Sequence, residues 1–282
     1  MTTMRLRVQA IAIATLAVLT FTACDNNEAP VAAGDFDVEA INAQADAESV
    51  YDDIDDMSTA TFEDVFANSR HGHDDRLDCA EVTVDSATNT VTIDFGEGCT
   101  DPRGRVRSGA IVITQNGRRF EPGSVMTLTF EDYSVDGVLV EGTRTLSNIA
   151  TSTDDAPSFQ ITLEGGRLTW EDGSVATRES SRIKTWYRAA NPTDDEWHIE
   201  GSVSGTDRDG VAYSSITTEP LVFARDCSSH RFKVPVSGVK EYTKGEESYT
   251  IDFGDGECDR LATVTTGGVS TEITLRRLFD RD

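Results

Sequence analysis

Over most of the chain, apolar and polar residues alternate one by one. Phe159, Ile161 and Leu163 are separated by polar residues, and the same period of two recurs in 91–95 and 197–203. This alternation places the apolar side chains on one face of each strand. Strands of a parallel sheet that is covered on both faces are apolar throughout, so the pattern predicts a mainly β, antiparallel fold with one solvated face.

Turn signals separate these runs at intervals of about 18 to 20 residues. The signals are Asn116-Gly117, Asp136-Gly137, Asp154-Asp155, Asp172-Gly173, Asn191-Pro192 and Asp209-Gly210. Asn-Gly and Asp-Gly suit two-residue hairpin turns, because both positions need a positive φ. Gly109, Gly142 and Gly201 lie inside the runs and predict bulges or bends. We therefore expect a long-stranded antiparallel meander over residues 77–282, arranged as a half-barrel or as a sandwich.

Residues 25–76 have a different pattern and are rich in Ala, Asp and Glu. Val50, Ile54 and Met57 fall at helical spacing, and Thr61 with an acid three residues later resembles a capping box at the start of a second helix. The segment therefore predicts an acidic tether followed by short helices.

The first 24 residues have the pattern of an export signal. Arg5 and Arg7 precede an apolar run over 8–21, which is shorter than the roughly 20 residues of a membrane-spanning helix. The run ends in Phe21-Thr22-Ala23-Cys24, which resembles the lipobox of bacterial lipoproteins, with Phe where that family usually has Leu. The resemblance implies cleavage of the signal and acylation of Cys24, which makes the membrane a partner. The alternative is an ordinary signal that leaves Cys24 as a spare thiol.

Further segments resemble lipoproteins of Bacteroidota. The DNNE stretch after Cys24 resembles the acidic stretch of surface lipoproteins. The strand RSGAIVIT at 107–114, VEGTRT at 140–145 and an IDFG-acid-G turn resemble an uncharacterised group of β-rich predicted lipoproteins. The resemblance implies a lipid anchor in the cell envelope, at the outer membrane, and leaves open whether the protein faces the periplasm or the exterior. That group has no established activity, so no catalytic residue or cofactor follows from it.

A duplicated segment lies near each end of the predicted β-domain. TNTVTIDFGEGCTD at 88–101 recurs as EESYTIDFGDGECD at 246–259. The four cysteines that remain besides Cys24 are Cys79, Cys99, Cys227 and Cys258, an even number in an exported chain, which predicts two disulfides. Of the three possible connectivities, the duplication favours Cys79 with Cys99 and Cys227 with Cys258, so that each copy is a strand pair tied by one bridge.

Each copy also places three carboxylates around a glycine turn. They are Asp94, Glu97 and Asp101 in the first copy and Asp252, Asp255 and Asp259 in the second. Such oxygen clusters are candidate Ca²⁺ ligands, the alternative being solvated acids beside a turn. His71 and His73, next to Asp74, are candidate zinc ligands or part of a polar loop. We expect no cofactor.

The charge of the chain excludes one class of function. The formal net charge is −25, and removing Arg5 and Arg7 with the signal leaves 23 basic against 50 acidic residues. Such a chain repels phosphate backbones, so we expect no nucleic-acid binding. The sequence contains no G-x-S-x-G, H-E-x-x-H or P-loop motif. It therefore predicts no catalytic residues.

The remaining functions are binding or structural. The leading expectation is an envelope-anchored lipoprotein without catalytic activity. One alternative is a half-barrel carrier of lipid or of lipidated proteins, with a hollow lined by Leu128, Phe159, Ile161 and Leu163. The others are a calcium-stabilised adhesin-like module and a secreted hydrolase. Trp170, Trp186 and Trp197 are candidates for a sugar-stacking platform or for core packing.

Overall fold

The computed structural model describes residues 38–67, 74–227 and 234–275. Cys24, His71 and His73 lie outside these ranges. One α-helix, α1 (Val38–Ala67), precedes a 14-stranded antiparallel sheet. Its strands are β1 (Glu81–Asp85), β2 (Thr90–Asp94), β3 (Cys99–Thr100), β4 (Val106–Gln115), β5 (Val125–Val135), β6 (Val138–Asn148), β7 (Ser158–Thr169), β8 (Val175–Tyr187), β9 (Glu196–Thr206), β10 (Ala212–Ala224), β11 (Ser237–Lys244), β12 (Glu247–Asp255), β13 (Leu261–Thr266) and β14 (Val269–Thr274).

The sheet is a meander, because each long strand pairs with the next one along the chain. The short β3 is the exception, since it pairs with β4 beside β2. The predicted two-residue turn between β5 and β6 is confirmed, with positive φ at both Asp136 and Gly137. The mainly β antiparallel meander is thus confirmed. All strands belong to one open sheet, so a sandwich of two sheets is not the arrangement.

The predicted bulges are confirmed at two of the three glycines. The pairing of β4 with β5 shifts at Gly109, and that of β6 with β7 shifts at Gly142. A Cβ at Gly109 would lie 2.2 Å from the Asp132 carbonyl oxygen, so only glycine fits there. At Gly201 the pairing of β9 with β8 is unbroken, and the irregularity lies on the β10 side of the strand.

The expectation of short helices in residues 25–76 is wrong, because residues 38–67 form one helix of 30 residues. Thr61 does not begin a second helix. It lies inside α1, where its Oγ1 donates a hydrogen bond to the Met57 carbonyl oxygen at 2.8 Å. Ile54, Met57 and Phe62 are all buried against the sheet. This packing continues past the capping signal and extends the helix. None of the described helices is both long and apolar enough to cross a membrane.

Helix α1 packs on one side of the sheet, here called the helix face, and the opposite side is called the free face. Tyr51, Ile54 and Met57 belong to a buried cluster with residues of β2, β4, β5, β6 and β7. Ile41, near the start of α1, belongs to a second cluster with residues of β10 to β13, including Tyr213. The helix therefore crosses the sheet diagonally, and both clusters lie on the helix face.

The duplicated segments lie near the two edges of the sheet. Disulfides join Cys79 to Cys99 and Cys227 to Cys258, which is the connectivity that the duplication favours. An odd number of strand steps separates β2 from β12, so the two copies run in opposite directions. The two bridges therefore lie at opposite ends of the strands.

Candidate functional site

Four buried arginines lie on the helix face and form what we call the arginine row. They are Arg107 on β4, Arg144 on β6, and Arg178 and Arg182 on β8. Their exposed fractions are only 1%, 1%, 4% and 8%. Buried guanidinium groups are costly unless carboxylates pair with them, so their partners define what this face of the sheet can do.

Arg107 is paired at three atoms. Its Nη2 lies 2.7 Å from Asp53 Oδ2 of α1, its Nε lies 3.2 Å from Asp101 Oδ2, and its Nη1 donates to the Tyr133 hydroxyl at 2.7 Å. Burial by itself raises the pKa of the Asp53 carboxyl, but the guanidinium groups of Arg107 and Arg76 more than offset this and hold the pKa below its usual range. Asp53 is therefore ionised at neutral pH and fixes the middle of α1 to β4.

The other three arginines bind acids on the same side of α1. Arg144 forms a two-pronged pair with Asp55, at 3.0 Å from Nε to Oδ1 and 2.7 Å from Nη2 to Oδ2. Arg178 Nη2 lies 2.6 Å from Glu48 Oε2, and Arg182 also contacts Glu48. These pairs, with the two apolar clusters, close the helix face. The arginine row therefore has a structural role, the docking of α1.

A groove of about 720 Å³ lies on the free face, across strands β7 to β11. Two rows of cross-strand neighbours form its floor. The first row consists of Thr162, Ser181, Ser202, Ile216 and Glu241, each paired in register with the next. All but Thr162 are exposed, and Ile216 keeps 51% of its surface open to solvent. A large apolar side chain therefore lies between the Ser202 hydroxyl and the Glu241 carboxylate of this row.

The second row lies two residues away along each strand. Its members are Glu179, Ser204, Ser214 and Thr243, which also pair in register. Neighbouring strands are ~4.8 Å apart and residues two apart on a strand are ~6.8 Å apart, so the two rows form a regular lattice of short polar side chains. Glu179 Oε1 accepts a hydrogen bond from the Gly165 amide at 2.9 Å, which fixes one carboxylate at the margin of the groove.

The groove exists because its strands bend and its side chains are short. The register shifts between Leu163 and Gly166 where β7 pairs with β8, and again in β10 after Ile216. Bulges of this kind bend a strand and increase its twist. A Cβ at Gly205 in β9 would lie 2.0 Å from the Thr177 carbonyl oxygen, so glycine permits the close approach of β8 there. Serine hydroxyls then leave open space where longer side chains would fill it.

Comparisons with protein-family models, curated proteins and solved structures found no match. The groove is therefore interpreted from its own chemistry. Its described lining includes the carboxylates of Glu164, Glu179 and Glu241 and contains no Lys, Arg or His. Hydroxyls both donate and accept hydrogen bonds, whereas carboxylates only accept them. The groove can therefore hydrogen-bond a ligand that has many donors and acceptors, and it repels anions.

The candidate calcium ligands lie on the turns that the sequence predicts. Asp94 Oδ1 accepts a hydrogen bond from the Gly96 amide at 2.7 Å, and Asp252 Oδ1 accepts one from the Gly254 amide at 2.9 Å. Each carboxylate thus stabilises its own turn. Glu97 and its counterpart in the second copy, Asp255, are exposed.

The third acid of each copy differs between the two turns. Asp101 is buried and paired with Arg107, whereas Asp259 is exposed. Among the described residues, the acids and sulfurs that come close enough to share an ion are Asp226, Cys227 and Cys258. The two sulfurs of that group are joined in a disulfide and cannot act as thiolate ligands. The structure therefore does not bring the six candidate carboxylates together.

The tryptophan faces are covered by arginines. Trp186 and Trp197 stack with their ring centroids 6.2 Å apart, and the Arg188 guanidinium lies 4.3 Å from the Trp186 centroid. Arg208 lies at the same distance from Trp170, which packs against the first apolar cluster. An arginine thus occupies a ring face of Trp170 and of Trp186, two of the three candidates for a sugar platform, and the third, Trp197, stacks on Trp186.

Sequence reasoning missed both the arginine row and the groove. On β8, both the inward positions, such as Arg178 and Arg182, and the outward positions are polar. The alternation therefore does not indicate which side of the strand is buried. The available signal was on α1, where Glu48, Asp52 and Asp55 recur every three or four residues and form one acidic stripe. The groove depends on the bulge positions of several strands, which a linear pattern does not contain.

Proposed function

We propose that this protein is a lipid-anchored, non-catalytic binding protein of the bacterial envelope, and that it holds its ligand in the groove on the free face of the sheet. The observation that carries the proposal is the difference between the two sides of the sheet. Helix α1 and its ion pairs cover the helix face, whereas the free face has a polar groove of about 720 Å³ that no segment of the described chain covers. The lipobox-like segment that ends at Cys24 supports the anchor.

The carrier of lipid or of lipidated proteins receives less support. Such a carrier needs an apolar hollow, and its expected lining was Leu128, Phe159, Ile161 and Leu163. All four side chains are buried in the cluster that also contains Tyr51, Ile54 and Met57 of α1. The apolar face is therefore filled by the protein's own helix. Release of α1 would expose the ion-paired acids and arginines together with the apolar surface, at a large free-energy cost.

Two experiments in cells test the proposal. We expect labelled palmitate to be incorporated into the wild-type protein and not into Cys24→Ala. A photo-reactive phenylalanine placed at Ser204 in the groove should give a cross-linked product, whereas the same residue at Ser270 on β14 should not. Ser270 is the matched control, because it is exposed and lies on the same face outside the groove. Absence of lipid from the wild type would refute the anchor. Equal cross-linking at the two positions would refute the binding role of the groove.

A further inference from the structure

The inference about the ligand rests on the proposed function of the groove and concerns what the groove binds. Four ligand classes compete for such a surface: anions, apolar molecules, neutral polyhydroxylated molecules and basic peptides. Basic peptides are included because carboxylates line the margin of the groove. The arrangement of charge, hydroxyls and one apolar side chain on the groove floor discriminates among them.

Anionic ligands are disfavoured by the electrostatics of the groove. Glu164, Glu179 and Glu241 line it, and no described lining residue carries a positive charge. The formal charge of −25 on the chain adds to the repulsion. Phosphorylated, sulfated or uronic acid ligands would therefore approach against an unfavourable potential.

Apolar ligands are disfavoured by the polarity of the floor. Ser202, Ser204 and Ser214 occupy its centre, and their hydroxyls take part in none of the hydrogen bonds within the described part of the chain. An apolar ligand would displace water from these hydroxyls without replacing the hydrogen bonds. A ligand with hydroxyls of its own would replace them.

The exposed Ile216 separates the two remaining classes. It pairs in register with Ser202 on one side and Glu241 on the other, so an apolar surface lies between a hydroxyl and a carboxylate in one row. A sugar ring has polar hydroxyl edges and an apolar CH face, and this alternation matches the row. A lysine-rich peptide would gain from the three carboxylates, but its ammonium groups would lose water over Ile216, whose side chain has no polar atom to replace it.

We infer that the groove binds a neutral oligosaccharide, whose hydroxyls bond the Ser and Glu side chains of the two rows while a CH face packs on Ile216. The ligand class is defined by uncharged sugar units in a chain. The extent of the lattice, five strands wide in the first row, suits several units rather than one.

The test uses the full chain purified in detergent and titrated calorimetrically with neutral oligomers of hexose, pentose and N-acetylhexosamine. Oligogalacturonate and pentalysine serve as the anionic and cationic probes. We expect at least one neutral series to bind, and we expect neither charged probe to bind. Ser202→Tyr, which fills the groove, and Ile216→Ser, which removes the CH-packing surface, should each weaken binding by at least about tenfold. Ser270→Tyr, on the same face of the sheet outside the groove, should leave binding unchanged.

The outcomes separate this inference from the proposed function. Binding of pentalysine that is lost in Ser202→Tyr would overturn the neutral-sugar assignment and would keep the groove as a binding site. Failure of all neutral series to bind would overturn the assignment, and the cross-linking at Ser204 in cells would still decide whether the groove binds anything. Neutral binding that Ser202→Tyr and Ser270→Tyr leave equally intact would place the sugar outside the groove and would also overturn it.

Discussion

The two copies of the duplicated segment share part of their local structure near opposite edges of the sheet. In each copy an isoleucine and a phenylalanine of the IDFG sequence are buried, Ile93 and Phe95 in the first and Ile251 and Phe253 in the second. In each copy the aspartate between them accepts a hydrogen bond from the amide of the glycine two residues later. The same short sequence thus gives the same buried pair and the same aspartate contact in two different surroundings, although β2 ends at its aspartate and β12 continues to Asp255.

The copies differ in the burial of their third acid. In the first copy, Asp101 is buried and pairs with Arg107, which also binds α1 through Asp53. In the second copy, the equivalent Asp259 is exposed, and its Oδ1 accepts a hydrogen bond from the Leu261 amide. The difference shows that the local sequence specifies the buried pair and the contact between aspartate and glycine, whereas long-range contacts determine whether the third acid of a copy is buried and paired.

The largest expected effect comes from breaking the pair in the first copy. Arg107→Ala would leave the buried Asp101 without its arginine and Asp53 with Arg76 alone, which should lower the free energy of unfolding by about 3 to 5 kcal/mol. Asp101→Asn and Asp259→Asn form a matched pair. Asp101→Asn should lower the free energy of unfolding by about 1 to 3 kcal/mol, and Asp259→Asn by under about 0.5 kcal/mol. Urea unfolding followed by tryptophan fluorescence measures all three. Equal losses for Asp101→Asn and Asp259→Asn would contradict the asymmetry between the copies.

A second expected effect has the opposite sign and concerns Lys240, a half-buried cation on β11 beside the second copy. Lys240 on β11 pairs in register with Ile251 of the second copy, and its Nζ lies 5.4 Å from the Phe253 ring centroid. Within the described part of the chain, no carboxylate forms an ion pair with it, unlike Lys244 on the same strand. Burial, and then Arg178 and Arg182, lower the pKa of Lys240 to about 8. Its charged form therefore destabilises the folded protein at neutral pH.

The sign of the pH dependence follows from this lowered pKa. Between about pH 8 and pH 10.5 the unfolded chain binds the Lys240 proton and the folded chain does not, so the free energy of unfolding should rise with pH across this window. Lys240→Met should remove this pH dependence and raise the free energy of unfolding at pH 7 by about 1 kcal/mol. The gain is modest because the lysine side chain keeps part of its surface exposed.

Lys244 on the same strand is the matched control for Lys240. Its Nζ lies 3.0 Å from Asp207 Oδ2, so it has the carboxylate partner that Lys240 lacks among the described residues. Lys244→Met should therefore lower the free energy of unfolding at pH 7. The measurement is the difference between each variant and the wild type at pH 7 and pH 10. A loss of stability in Lys240→Met at pH 7 would show that the buried ammonium is stabilising.

Local sequence patterns predict much of the fold, and particular residues show where such patterns stop being sufficient. The alternation at 159–163, the turn at Asp136-Gly137 and the bulge at Gly109 each depend on the period of two or on backbone conformation. The capping signal at Thr61 gave a wrong helix boundary, because packing against the sheet outweighed it. Local propensity is a weak prior when an apolar face continues through it.

The charged contacts were harder to anticipate for a physical reason. Arg144 and Asp55 are 89 positions apart in the chain, and the pairing depends on which strand lies beneath which turn of α1. The groove likewise needs the register of β7 to β11 at the same time. By contrast, the disulfide pairing followed from the duplication, because Cys79 and Cys99 belong to one local unit. A feature is thus harder to predict from the sequence when the residues that form it lie further apart in the chain.

The smallest expected effect is that of calcium on the two duplicated turns. Asp94 and Asp252 each accept an amide hydrogen bond within their turn, and Asp101 is engaged by Arg107, so at most a few carboxylate oxygens remain for an ion. We expect millimolar Ca²⁺ to raise the melting temperature by no more than Mg²⁺ does at matched ionic strength, since both ions screen the charge of −25. A rise specific to Ca²⁺ that is lost in Asp252→Asn and kept in Asp94→Asn would show an ion site in the second copy. It would also extend the difference between the copies from buried charge to metal binding.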